Sequence, residues 1–326
     1  MRVFTLACSG FAVCFVVASS ACSATDGSEF DVGGAGSGAP SGSGGQFATV
    51  GVGGGTGSGG GSPGCSEAAE LIYVLSVEND LYSFRPDLKQ FTKIGPLGCQ
   101  TAMQPNSMAI DRDAVAWVNY VQNDGLGSDT AGAIFKVSTA DASCQPTSIS
   151  LPANWYRLGM GFSTDEVGGT AETLFVAGTG PGIGTGTSPG LGRIDFASNG
   201  LVPIGQFTGA LSGQSGELTG TGDARLFGFF TTTPVQVSEI DKASGATAQP
   251  KALAGVETPA AWAFSFWGGD FYLYTAPDPT LDPTRTTNVT HYNPKDGTTD
   301  TSYMTNIGFT IVGAGVSTCA PLEPPK

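Results

Sequence analysis

One pattern recurs five times along this chain and restricts its fold more than any other feature. A short strand with an aromatic near its centre appears as Ile72-Tyr73-Val74, Ala116-Trp117-Val118, Leu174-Phe175-Val176, Leu226-Phe227-Gly228 and Phe271-Tyr272-Leu273. A second strand alternating apolar and polar residues follows each, over Tyr82–Arg85, Phe135–Ser138, Gly192–Asp195, Ser238–Asp241 and Thr290–Asn293. Turn formers come next, such as Asp87-Leu88-Lys89, Ala197-Ser198-Asn199-Gly200 and Lys295-Asp296-Gly297. A weaker outer strand is then predicted over Phe91–Ile94, Thr147–Leu151, Leu201–Phe207, Ala246–Ala252 and Thr299–Thr305. A period of roughly fifty residues marks units that cannot bury their apolar faces alone and must stack on their neighbours.

Four of the units carry a leading strand as well: Ser107–Asp111, Leu158–Ser163, a poorly marked one around Leu211–Leu218, and Ala261–Trp267. The first unit has none. The missing strand stands at the far end of the chain as Phe309–Val316. If that strand completes the first unit, the ring has no open edge. The pattern therefore predicts an all-β chain: a single β-propeller of five four-stranded blades closed by the C-terminal strand. Composition agrees, because 50 Gly and 20 Pro with only 13% charged residues supply turns rather than helix surfaces. A jelly roll or two-sheet sandwich is the alternative. Over residues 69–318 the blades resemble the broad class of secreted bacterial β-propeller lipoproteins with YVTN-, NHL- or WD-like repeats. The resemblance is one of architecture, since no blade carries a Gly-His…Trp-Asp signature.

The N-terminus carries an address. Met1-Arg2 places one positive charge before Val3–Ala18, which is almost wholly apolar or small, and Ser19-Ser20-Ala21-Cys22 follows. That apolar run is too short for a stable membrane span and reads as a signal peptide over residues 1–21. Ala21-Cys22 resembles the lipobox of bacterial lipoproteins, with Ser19 where those families prefer Leu. The resemblance implies lipidation of Cys22, and Ser23 after it implies an outer-membrane address. Residues 22–64 would form the tether, nearly all Gly, Ser, Ala and Thr from Gly33 on, with too little apolar content to fold. A Gly/Ser coil of that length spans roughly 35 Å, about one diameter of a domain built from residues 65–326.

Of seven cysteines, Cys8 and Cys14 leave with the signal and Cys22 takes lipid. Cys65, Cys99, Cys144 and Cys319 remain, an even set suited to an oxidising compartment. Cys65 precedes the first blade's second strand and Cys319 follows the strand assigned as its first. Neighbouring strands thus pair Cys65 with Cys319, leaving Cys99 with Cys144. No Cys-x-x-Cys occurs and there is one histidine, so no metal or cofactor is expected.

A net charge of −14 opposes phosphate backbones and anionic lipid, which argues against nucleic acid and leaves the lipid as the sole membrane contact. Trp262, Phe264 and Phe266 alternate with small residues and read as packing between blades. His291 reads as a solvent-facing strand residue, and Asn123–Asp129 as a hairpin turn rather than a calcium loop. Asn154-Trp155-Tyr156-Arg157 precedes an inner strand, in the loop class that gathers at one face of a propeller. With Gln104 and Asn106 of the Gln104–Ser107 loop, these rings and donors suit a protein or glycan ligand. The chain is then a monomeric, exported, non-enzymatic binder. The alternative is a carbohydrate-active hydrolase or lyase. By resemblance to five-bladed glycoside hydrolases it would use tunnel carboxylates drawn from Asp111, Asp113, Asp165 and Glu217.

Overall fold

The computed structural model describes residues 64–179 and 187–325. The signal peptide, Cys22 and the tether fall outside the described residues. The rest forms five separate four-stranded antiparallel sheets, and each sheet is one blade.

The first blade joins β1 (Ile72–Ser76), β2 (Asp80–Arg85) and β3 (Gln90–Pro96) to the last strand, β20 (Ile311–Val316). The second holds β4 (Gln104–Ile110), β5 (Val115–Asn123), β6 (Asp129–Ser138) and β7 (Cys144–Pro146), and the third β8 (Leu158–Thr164), β9 (Glu172–Gly178), β10 (Gly190–Asp195) and β11 (Gly200–Gly205). The fourth comprises β12 (Gly216–Gly220), β13 (Leu226–Phe230), β14 (Gln236–Ile240) and β15 (Thr247–Ala252), and the fifth β16 (Ala261–Trp267), β17 (Asp270–Ala276), β18 (Asn288–Tyr292) and β19 (Thr299–Met304). Closure is as the sequence predicts: β20 pairs antiparallel with β1, setting Ile72 opposite Val316.

The period-two alternation explains why these strands are apolar on both faces. Ile72 and Val74 pack toward the fifth blade with Tyr274 and Val289, whereas Tyr73 and Leu75 pack toward the second with Met108 and Val118. Three more cores repeat the arrangement between the other neighbouring blades. A middle strand therefore serves two cores at once, and β1 is buried at all five positions. Outer strands have one neighbour fewer, and β15 is largely exposed.

The inner strands meet around the axis, where little space remains. A Cβ on Gly159 of β8 would stand 2.1 Å from the Gly216 carbonyl oxygen, and one on Gly220 would stand 2.0 Å from that of Phe162. Glycine is needed here for close backbone approach, which lets five blades close tightly.

Two expected strands sit elsewhere. The outer strand of the second blade is Cys144–Pro146, not Thr147–Leu151. The alternation of Ile149 and Leu151 resembles a strand, but both side chains are buried in the core between the second and third blades. The inner strand of the fourth blade begins at Gly216. Leu211 belongs instead to a single 3-10 turn, Gly209–Leu211, that anchors the connection before it.

Both disulfides form with the expected partners. Cys65 bonds Cys319 across a sequence separation of 254, with Cα atoms 5.8 Å apart. Cys99 bonds Cys144 across 45 residues and ties the end of the first blade to the outer strand of the second. Two such bonds point to an extracellular or periplasmic compartment. No helix among the described residues is long and apolar enough to cross a membrane.

Candidate binding site

All five inner strands begin at the same end of the ring, and a cavity of about 120 Å³ opens there on the axis. Each blade contributes to it: Val312 from the first, Asn106 from the second, Arg157 and Thr179 from the third, Ser215 and Glu217 from the fourth, Trp262 from the fifth. An engineered cavity of about 150 Å³ holds one benzene molecule, so this one has room for a single ring-sized group.

A buried hydrogen-bond relay fixes its polar wall. Arg157 forks onto Asp129, donating from Nε at 3.0 Å and Nη2 at 2.9 Å. Its Nη1 donates to Asn106 Oδ1 at 2.8 Å. Asn106 in turn donates to Asn119 Oδ1 at 2.9 Å and to the Leu158 carbonyl at 2.8 Å. Asn119, fully buried in β5, also accepts from the Leu158 amide and donates to the Ala133 and Tyr156 carbonyls. The relay locks the second blade to the third and pre-orients the guanidinium. The Asp129 side chain is only 1% exposed against 18% for Arg157, so the cation faces outward while its counter-ion is hidden behind it.

Glu217 stands opposite. Its carboxylate accepts from Ser107 Oγ at 2.8 Å, a bond that crosses the axis from the second blade to the fourth. Burial pushes its pKa well above the usual carboxylate range, more than the Ser107 bond and the Arg157 charge lower it. The group is held toward its neutral form. Trp262 supplies the apolar side. Its Nε1 is the one side-chain polar atom among the described residues that is buried without a hydrogen-bond partner. The residue as a whole is only partly buried and also packs against the core between the fourth and fifth blades.

This arrangement redistributes the residues expected to bind. Arg157 and Asn106 reach the cavity, but Trp155 does not. Its ring is 5% exposed and lies over two glycines of the third blade: a Cβ on Gly178 would come within 3.0 Å of it, and one on Gly192 within 3.1 Å. Trp155 caps a core and is not free for stacking. Tyr156 is partly buried beside it, and its backbone carbonyl serves the Asn119 relay. Asn154 is exposed with φ of 72°, a left-handed turn position that asparagine tolerates. Gln104 is an exposed position of β4, and Gln104–Ser107 is strand rather than loop. Trp262 keeps its expected packing role against the core between the fourth and fifth blades, where Phe264 and Phe266 also sit, and lines the cavity as well.

The four candidate carboxylates do not converge. Asp111, Asp113 and Asp165 follow the far ends of β4 and β8, whereas Glu217 lies near the start of β12. A seven-residue strand separates those ends by about 20 Å. Asp111 is occupied by the Trp117 indole at 2.9 Å and the Val115 amide. In the Asn123–Asp129 turn, Asp124 accepts from the Leu126 and Ser128 amides while Asp129 holds Arg157. No cluster of three metal-ligating side chains occurs among the described residues. His291 is not freely solvated: its Nε2 lies 2.7 Å from Asp270.

The sequence signal for the missed members was weak. Asn119 interrupts an apolar middle strand, whereas Glu217, which interrupts an inner one, is among the carboxylates the sequence marks. Only the ring closure brings them to one point.

No protein-family model matches the chain, and no curated protein matches it significantly. Among solved structures, it is similar to a protein of unknown function from Bacteroides caccae, at 12% identity and a TM-score of 0.38, over 75% of this chain and 97% of that one. The tricorn protease matches at the same identity and score over 71% of this chain. The chain spans 22% of the length of that protease. Neither likeness speaks to function. What stands is the architecture itself, a five-bladed ring with a cavity on its axis.

Proposed function

We propose that this is an exported, lipid-anchored binding protein that captures the end of a glycan in the axial cavity. The axial cavity carries the reading: each blade contributes to a pocket of one-ring size, with an aromatic carbon surface on one wall and a preorganised guanidinium on the other. Apolar face plus fixed donors is what a sugar ring requires. Glu217 is the one carboxylate lining the cavity among the described residues, which favours capture over hydrolysis by an acid–base pair. Lipid on Cys22 and the tether of residues 22–64 would hold the ring off the outer membrane, free to turn its cavity toward a ligand.

A glycan array probed with the purified full chain tests the binding reading. Retention of at least one glycan class, lost on Trp262→Ala in a variant that still melts cooperatively, is the expected result. An array on which nothing is retained sinks it. For the anchor, Cys22→Ala should move the protein from the detergent phase to the aqueous phase. A variant that stays membrane-bound removes the lipid from the account.

A further inference from the structure

We infer that the cavity selects a carboxylate-bearing sugar ring, a hexuronate unit, with its carboxylate on Arg157 and its ring against Trp262. The inference rests on the reading that the cavity is a glycan site, and adds the class of sugar.

Charge decides the choice. The chain is strongly acidic, at −14, yet the charged group lining the cavity with donors to spare is the Arg157 guanidinium. Three of the five N–H groups of Arg157 are committed, two to Asp129 and one to Asn106. One hydrogen on each terminal nitrogen is left. Two remaining donors on a planar cation suit the oxygens of a carboxylate. Because Asp129 and Asn106 hold the fork before any ligand arrives, little side-chain entropy is lost on binding.

The remaining walls fit the same ligand. Glu217 lines the cavity from the fourth blade, buried and bonded to Ser107, and burial favours its neutral form. That lowers the charge opposing a carboxylate in the cavity. Trp262, Ala261 and Val312 form an apolar wall suited to the C–H face of a pyranose, while the hydroxyls of Thr179 and Ser215 stand at the same cavity for the ring oxygens. A neutral hexose would leave the two guanidinium hydrogens without an anionic partner.

Isothermal titration of the full chain in detergent, at about 0.15 M salt to screen the acidic surface, tests this on the ligand side. The probes are galacturonate, galactose and galacturonate methyl ester, with the glucuronate, glucose and glucuronate methyl ester set in parallel. At least one uronate should bind ten-fold or more tightly than both its parent hexose and its ester. Arg157→Lys, which keeps the charge but not the fork, should reduce that preference to within about three-fold. If neither uronate outbinds its hexose and ester, the inference is overturned, and no folded variant is needed to reach that result. Equal binding of hexose and uronate leaves the cavity standing as a sugar site. An empty glycan array is the separate result that removes the site itself.

Discussion

Trp155 shows how the same side chain can advertise one role and perform another. Between Asn154 and Arg157 it stands among polar residues before an inner strand, where exposed aromatics often bind ligands. In the fold it lies across Gly178 and Gly192, whose missing side chains leave the slot for its ring. Trp155→Ala should therefore cost about 3–5 kcal/mol, as large-to-small core changes do, read as a fall in the midpoint of a denaturant titration. A variant of unchanged stability would return the ring to the surface. Glu172 makes a second residue-scale case. Its carboxylate accepts from the Arg112 amide at 2.8 Å and from Thr318 Oγ1 at 2.7 Å, joining the third blade to the segment that ends in Cys319. Burial pushes its pKa up to about 7, against the lowering effect of those two bonds. A carboxyl whose pKa is raised in the fold binds more protons there than in the unfolded chain. Its contribution is fully present below the ordinary value of about 4.5 and is lost as pH rises through about 7. Glu172→Gln, neutral throughout, should flatten the pH dependence of stability across that window by roughly 1–2 kcal/mol, allowing for partial solvent screening. An unchanged slope would show that Glu172 titrates normally.

The decisive element is β20. It contributes Ile311, Ala314 and Val316 to the core between the fifth and first blades, and its pairing closes the edge of β1. Removing Phe309–Lys326 would expose that edge and take away Cys319. The truncated chain should unfold or associate, seen as a lost cooperative melt or an earlier elution volume. A monomer with an unchanged melting temperature would contradict closure. Other elements show why boundaries were harder to read than the architecture. Middle strands pack on two blades, so their apolar runs are strong signals. Outer strands pack less, and β7 has only three residues, one of them Pro146. The apolar pair that follows, Ile149 and Leu151, outweighs it in the sequence although it belongs to no sheet of its own. In the fourth blade the glycines that make β12 fit at the axis also make it look like a loop.

For the molecule as a whole, the Cys65–Cys319 bond joins the start of the ring to its end. Replacing both cysteines by serine should destabilise the domain by about 3–5 kcal/mol, since the bond closes a loop nearly as long as the ring. Chemical unfolding with Cys99–Cys144 left intact measures this, and a loss below about 1 kcal/mol would mean that strand pairing alone holds the closure. The sequence by itself determined the repeat and predicted the five blades, the closing strand and both disulfide pairings. The first three and Cys65–Cys319 follow from local periodicity or from which strands must be neighbours in a ring, and Cys99–Cys144 from elimination. It also marked Arg157 and Asn106, because polar groups before an inner strand must gather at one end of a propeller. What only the tertiary structure decided is which side chains face one another across the axis. Ser107 and Glu217 are 110 residues apart and bond at 2.8 Å, and Asp129 reaches Arg157 from a neighbouring blade. No periodicity encodes those meetings. They depend on blade number, on the tight approach that the axial glycines permit, and on which end of each strand turns inward, and these are properties of the closed ring.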